Sequence, residues 1–227
     1  MDAVSPTPGQ AGALPRLAAV LLAAGESRRM GGPNKLMIEL DGEPLVRRTA
    51  RTLLAAGFDP VLVVLGHAPE RIRPLLDGLP LRLIENPVWQ EGQQRSVRAG
   101  LAALSPVLAS GTHAGVAVVL SDLPLLQPAH LRELAQAFAG RGAARCLVPR
   151  HAGERGNPVL FEASLMPELL AEPGGPRDWI AAHPESVTRL AVAHPAFTTD
   201  LDTLADVAAL RAMPGAPRIR LPGAAGA

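Results

Sequence analysis

An open α/β fold, with helices packed on a mostly parallel sheet, is the class this sequence predicts. Three observations predict it. Short runs of Val, Ile and Leu, such as Val61–Leu65 and Val116–Leu120, have the length and composition of strands buried on both faces. Segments with apolar residues at helical spacing separate these runs, giving the βαβ progression that parallel pairing needs. The chain is 48% hydrophobic but only 3% aromatic, so its core must be aliphatic.

The 227 residues suit one domain. Residues 1–15 are rich in Pro, Gly, Ala and Ser and read as a flexible leader; residues 213–227 read as a flexible tail, leaving 16–212 as the folded unit. A formal net charge of +1 makes no electrostatic case for duplex nucleic acid. The single cysteine, Cys146, leaves no internal disulfide and no cysteine metal cluster, and its apolar neighbours place it in a buried strand. No apolar run reaches the roughly 18 residues of a membrane span. The N-terminus lacks the basic region and apolar core of a signal peptide, so the expectation is a soluble cytoplasmic protein.

The first strand, Leu17–Leu22, runs into a loop broken by Gly25 and kept irregular by Gly31, Gly32 and Pro33. Glycine lets a backbone approach an anion and aim N–H groups at it. Arg29 and Lys35 add charge, one as a planar fork and one as a compact point. Neither G-x-G-x-x-G nor G-x-x-x-x-G-K-[ST] spacing is present in this loop. Lys35 is the only lysine in the chain, with arginine supplying every other fixed cation. Either it marks a position where a wide guanidinium does not serve, or it is a chance survivor on a solvated face.

Next, Leu36–Leu40 is strand-like and Asp41-Gly42 a turn. Pro44 suits a first helical position, and Val46, Ala50, Leu53 and Leu54 recur at helical spacing up to Gly57, with Arg47, Arg48 and Arg51 on a solvated face. Val61–Leu65 is a strand with His67 in the turn after it; Pro69–Leu76 is a short helix and Leu81–Ile84 a strand. Gly92 opens a turn into a helix, where Ser96 either caps or presents a hydroxyl to a ligand. Val116–Leu120 is the clearest strand, and Asp122 follows it. An acid at the carboxyl end of a central strand lies where open α/β sheets bind ligands, unless it serves only as a cap. Pro128–Phe138 is helical, and Ala144–Pro149 and Val159–Phe161 are strands around a polar loop. Short helices at Leu165–Leu170 and ending at Ala182, a strand at Val187–Val192 and a helix at Leu204–Arg211 complete the domain.

The first loop resembles the signature of the MobA-like nucleotidyltransferases, nearest the molybdenum cofactor cytidylyltransferase branch. Their pattern LAAG-x-S-x-RMG…K stands here as Leu22-Ala23-Ala24-Gly25, Ser27, Arg29-Met30-Gly31 and Lys35, with three residues before the lysine where many relatives have two. Further matches are Asn86, Pro87, Gly92, Ser96, Val97 and Gly100; then Asp122, Pro124 and Leu126; then Gly156, Asn157, Pro158, Leu160 and Phe161; and Asp200-Leu201-Asp202-Thr203.

The resemblance implies a Rossmann-like nucleotidyltransferase (GT-A-like) fold, a three-layer sandwich around one mixed, mostly parallel sheet. It implies that Leu22, Ala23, Ala24, Gly25, Gly31, Lys35, Gly92 and Ser96 line the nucleotide site. Asp122 and Asp202 would hold Mg²⁺, although Asp202 also reads as an N-cap for the last helix. Gly156, Asn157, Pro158 and Arg177 would face the acceptor, with Arg177 either on a phosphate or paired with an acid. Arg29, Lys35 and Asp122 would carry catalysis.

The implied reaction moves CMP from CTP to molybdopterin, with a molybdoenzyme or its maturation chaperone as recipient. The alternatives are a GTP-using guanylyltransferase, transfer to a sugar or polyol phosphate, and a non-catalytic carrier of the cofactor.

Overall fold

The structure, a computed structural model, describes residues 14–32 and 34–223. Most of the expected leader lies outside the described residues.

The strands and helices in chain order are β1 (Leu17–Ala23), β2 (Glu39–Leu40), β3 (Glu43–Pro44), α1 (Leu45–Ala56), β4 (Val61–Leu65), α2 (Pro69–Ile72), β5 (Arg82–Glu85), α3 (Gln93–Ala109), β6 (Gly115–Leu120), α4 (Pro128–Ala139), β7 (Cys146–His151), β8 (Glu154–Arg155), β9 (Val159–Glu162), α5 (Met166–Ala171), α6 (Pro176–Ala182), β10 (Val187–Ala191), α7 (Leu204–Arg211) and β11 (Ile219–Arg220). The central sheet has the order β10-β7-β9-β6-β1-β4-β5, with β8 hanging on β7. β9 runs antiparallel to both neighbours, while β10-β7, β6-β1, β1-β4 and β4-β5 are parallel.

Every residue of β1 is buried, because helices cover both sheet faces. Alternation along the strand sorts its side chains. Leu17, Ala19, Leu21 and Ala23 join the core under α1 and α4; Ala18, Val20 and Leu22 join the core under α3, α5 and α6. Gly100 lets α3 lie close on the sheet, since a Cβ there would come 2.3 Å from Val20 Cγ1. α1 ends at Gly57, whose φ of 95° is left-handed and whose N–H closes onto Leu53 and Leu54.

The chain lays β1, β4 and β5 outward in one direction. It then returns through α3 to place β6 on the other side of β1. This reversal is a topological switch point, and it opens a crevice at the carboxyl ends of β1 and β6.

Two expectations are revised. The Leu36–Leu40 segment is a helical turn at Lys35–Met37 followed by the two-residue β2, because Asn34 Oδ1 accepts from Leu36 N at 3.0 Å and starts a turn. The tail from residue 213 carries β11, which pairs with β2 in a second, three-stranded sheet; Ile219 and Leu221 pack on a small core of Met30, Ile38, Leu40, Leu45, Leu201, Val207 and Leu210. Apolar partners at the far end of the sequence hold it, and composition alone does not disclose them.

Candidate active site

Ser27 organises the loop after β1. It adopts φ 60°, and its Oγ donates to Asn34 Oδ1 at 3.3 Å and accepts from Lys35 N at 3.1 Å. The two ends of the loop are thereby tied, and Lys35 starts its own helical turn. Across the crevice, Ser121 Oγ donates to Leu22 O at 2.5 Å, locking the end of β6 against β1 just before Asp122.

Three remote segments then converge. Lys35 Nζ lies 2.6 Å from Asp122 Oδ2 and 2.6 Å from Asp202 Oδ1. Arg29 reaches the other Asp202 oxygen at 2.7 Å. Burial pulls the Lys35 ammonium down, but the charge and hydrogen bonds of Asp122 and Asp202 outweigh it and raise its pKa above the usual lysine value.

Asp202 is held by the entry to α7. Thr203, not Asp202, is the N-cap: its hydroxyl accepts from Asp206 N, and Asp206 Oδ2 accepts from the N–H groups of Asp202 and Thr203. Asp202 is thus free to point into the crevice.

Asp200 completes the group. Sequence reasoning singles out Asp202 and passes over it, although alternate residues of an extended segment share a side. Asp122, Asp200 and Asp202 each bring an oxygen within 4.8 Å of the others. Desolvation, followed by the negative charges of Asp202 and Asp122, raises the Asp200 pKa, with Lys35 opposing. Asp122 is 9% exposed, and its Oδ1 is buried with no hydrogen-bond partner among the described residues. An orphaned carboxylate oxygen beside two more carboxylates is a donor set that fits a hard divalent cation.

The cleft around this group measures about 510 Å³. Of the expected nucleotide residues, Leu22, Ala24, Gly25, Lys35 and Ser96 line it. Ala23 does not, because its side chain faces the α1 side of the sheet. Gly31 and Gly92 do not line it either: Gly31 terminates the helical turn Arg28–Met30 at φ 70°, and Gly92 starts α3 at φ 113°. Ser96 Oγ accepts from Asn86 Nδ2 at 3.0 Å, which ties α3 to the loop after β5. That loop supplies Trp89 and Gln90, which the sequence reading did not assign, and Trp89 stands edge-on to His67 with ring centroids 5.1 Å apart.

A second hollow of about 350 Å³ adjoins the cleft through Leu22, Gln93 and Leu120. Asn157 and Arg177 line it, joined by Arg155 and the apolar wall of Val159 and Phe161. Gly156 and Pro158 do not line it. Gly156 is needed elsewhere: a Cβ there would meet Phe197 O at 2.8 Å. A further hollow of about 560 Å³ lies at the amino-terminal end of β6, walled by Leu108, His113, Arg141 and Met166. Among its lining residues Arg141 pairs with Glu162 at 3.6 Å, and Ser164 Oγ donates to the same carboxylate at 2.8 Å.

Fold and crevice together define a Rossmann-like nucleotidyltransferase: a mixed α/β sheet whose cationic first loop faces strand-end carboxylates at the switch point. Residues 19–187 match the MobA-like NTP transferase domain, and the chain belongs to that family.

Among its relatives, the nicotine blue oxidoreductase of Paenarthrobacter nicotinovorans is 31% identical over 166 residues, 71% of this chain and 78% of that protein. A probable molybdenum cofactor guanylyltransferase of Natronomonas pharaonis is 33% identical over 131 residues, 58% of this chain and 60% of that protein. The structure of Rv0371c from Mycobacterium tuberculosis superposes with a TM-score of 0.69 at 28% identity, covering 87% of this chain and 98% of that one, and Rv0371c has also been solved in complex with manganese. Among the described residues no helix is long and apolar enough to cross a membrane.

Proposed function

We propose that this protein is a cytoplasmic cytidylyltransferase. It transfers CMP from CTP to the terminal phosphate of molybdopterin, giving molybdopterin cytosine dinucleotide and pyrophosphate. The observation that carries the reading is the convergence of Lys35, Arg29, Asp122 and Asp202 in one cleft, with Lys35 Nζ 2.6 Å from each of two carboxylates.

An oxygen of the acceptor phosphate attacks the α-phosphorus of CTP, and the bond to the pyrophosphate oxygen breaks. The nucleophile is already an anion, so no strong general base is required. Bringing two anions together and holding the charge that develops is the task, and positioned cations perform it. Arg29 and Lys35 grip the triphosphate and neutralise the departing pyrophosphate. Gly25 brings backbone close to the phosphates, while Ala24, Trp89 and Ser96 wall the base and ribose. Asn157, Arg155 and Arg177 face the incoming acceptor, the two arginines offering forks to its phosphate. Asp122 and Asp202, with Asp200, would hold Mg²⁺, which would supply charge neutralisation to the phosphates.

CTP is favoured by Leu22-Ala23-Ala24-Gly25, since guanylyltransferases of this family usually carry a glycine where Ala24 stands. The named guanylyltransferase relative keeps GTP as the second reading. The test is incubation of the protein with Mg²⁺, molybdopterin and CTP or GTP, followed by mass spectrometry of the product. CTP consumption with molybdopterin, releasing pyrophosphate, is expected. Turnover with a sugar phosphate but not with molybdopterin overturns the acceptor. Pterin binding without pyrophosphate release, unaffected by Lys35→Ala, leaves a carrier. Reduction or oxidation of nicotine blue without nucleotide transfer points to the chemistry that the Paenarthrobacter relative is named for.

A further inference from the structure

The Lys35 ammonium stands where a divalent cation bound by Asp122 and Asp202 would have to stand. It takes one oxygen of each at 2.6 Å, and Arg29 takes the second oxygen of Asp202 at 2.7 Å. Asp122 Oδ1 and Asp200 are what remains for a metal. Three carboxylates face two side-chain cations, so the group is one charge short of balance as it stands. A dication added with Lys35 in place would overshoot and would face the ammonium across shared oxygens. A triphosphate changes the balance, because it brings several negative charges and gives Lys35 and Arg29 new partners.

Lys35 is built to make this exchange. Its backbone is pinned, with its N–H on Ser27 Oγ at 3.1 Å and Asn34 capping its turn, while the four-carbon stem can swing. An arginine fork, once seated bidentate on the carboxylates, would release them less readily.

We propose that Lys35 is the resident placeholder of the metal site: ammonium and divalent cation exclude each other at the Asp122–Asp202 pair, and the cation enters only when triphosphate draws Lys35 away. Metal and nucleotide binding are then positively coupled, each weak alone. This rests on the metal-site reading above.

The chain's single lysine makes the exchange observable. Protein grown with [13Cε]lysine gives one ε-methylene signal, from Lys35. Millimolar Mg²⁺ alone leaves that signal in place, and Mg²⁺ with α,β-methylene CTP moves it. In parallel, Lys35→Met, with its fold checked by circular dichroism, binds Mn²⁺ without nucleotide about 10-fold or more tighter than the wild type by electron paramagnetic resonance, within the usual range of coupling between sites. A Lys35 signal that Mg²⁺ alone shifts to its final position, or equal Mn²⁺ affinity of variant and wild type, overturns the proposal. If neither protein binds Mn²⁺ even with nucleotide, the metal-site reading falls first and this one with it. A response to α,β-methylene GTP instead of the CTP analogue moves the base preference and upholds the exclusion.

Discussion

Asp200→Asn should separate stability from activity. Asp122 and Asp202 each have a side-chain cation within 2.7 Å, whereas Asp200 has no ion-pair partner within 4.0 Å among the described residues. Its carboxyl oxygen lies within 4.8 Å of theirs. Two unit charges at that distance repel by about 0.9 kcal/mol in a water-like dielectric. Two such neighbours act on Asp200, Lys35 opposes them, and exposure with salt screening reduces the remainder. Removing the charge should therefore stabilise the metal-free protein by roughly 0.5–1 kcal/mol, or about 1–4 °C for a chain of this size.

The pH dependence fixes the cause. Desolvation and the flanking carboxylates raise the folded pKa above 3.8. The wild-type penalty is then complete above that raised pKa, fades as pH falls through it, and vanishes below the unfolded value. The assay is thermal unfolding of both proteins in EDTA at low salt across this range. Transfer activity with Mg²⁺ and CTP should fall about 10- to 100-fold, the usual cost of weakening a metal site. A variant less stable than wild type in EDTA, or an advantage that persists in acid, refutes the reasoning.

Gly100→Ala should lower stability by about 1–2 kcal/mol in urea: overpacking against Val20 and Val64 exceeds the gain in helix propensity. Cys146 is fully buried, and burial, opposed by Arg155 and Arg189, pushes its thiol up to about 12. Ellman's reagent should leave the native protein untouched at pH 8 and titrate one thiol in denaturant. Thr203→Ala removes the cap of α7 and should cost about 1 kcal/mol by thermal melt. Gly156→Ala should lower transfer activity more than Gly153→Ala does in the same assay, because only the former drives a Cβ onto Phe197.

The parallel half of the fold was legible because its strands are buried on both faces and read as uninterrupted aliphatic runs; β4 and α7 begin and end where periodicity places them. β11 was hidden because two residues pairing with β2 leave no periodic trace. Of the site, Lys35 and Asp122 stood out through composition and strand-end position. Asp200 and Trp89 did not. An exposed aspartate carries no local sign of the charges that gather round it, and the loop holding Trp89 is shaped by Asn86 and Ser96, ten residues apart. Gly156 was legible as a special position, but its backbone meets Phe197 and its site does not open to the second hollow.

The segment from Pro195 to Thr203 explains why these positions act together. Phe197 O accepts from Asn157 N at 2.8 Å, so the segment is fastened to the loop beside the second hollow. Leu201 N donates to Asp122 O at 3.0 Å, which fastens it to the turn after β6. Leu201 is buried in the small core that also holds Met30 from the first loop. Between these anchors lie Asp200 and Asp202. One strap therefore sets the carboxylates relative to the cationic loop on one side and to Asn157 on the other. A shift of Phe197 would bear on the hydrogen bond to Asn157 at one end of the strap and on the anchor of Leu201 at the other. On the proposed function, an acceptor at Asn157 and a triphosphate on Lys35 would be linked through this segment, whose own apolar residues, Phe197 and Leu201, are buried in the core.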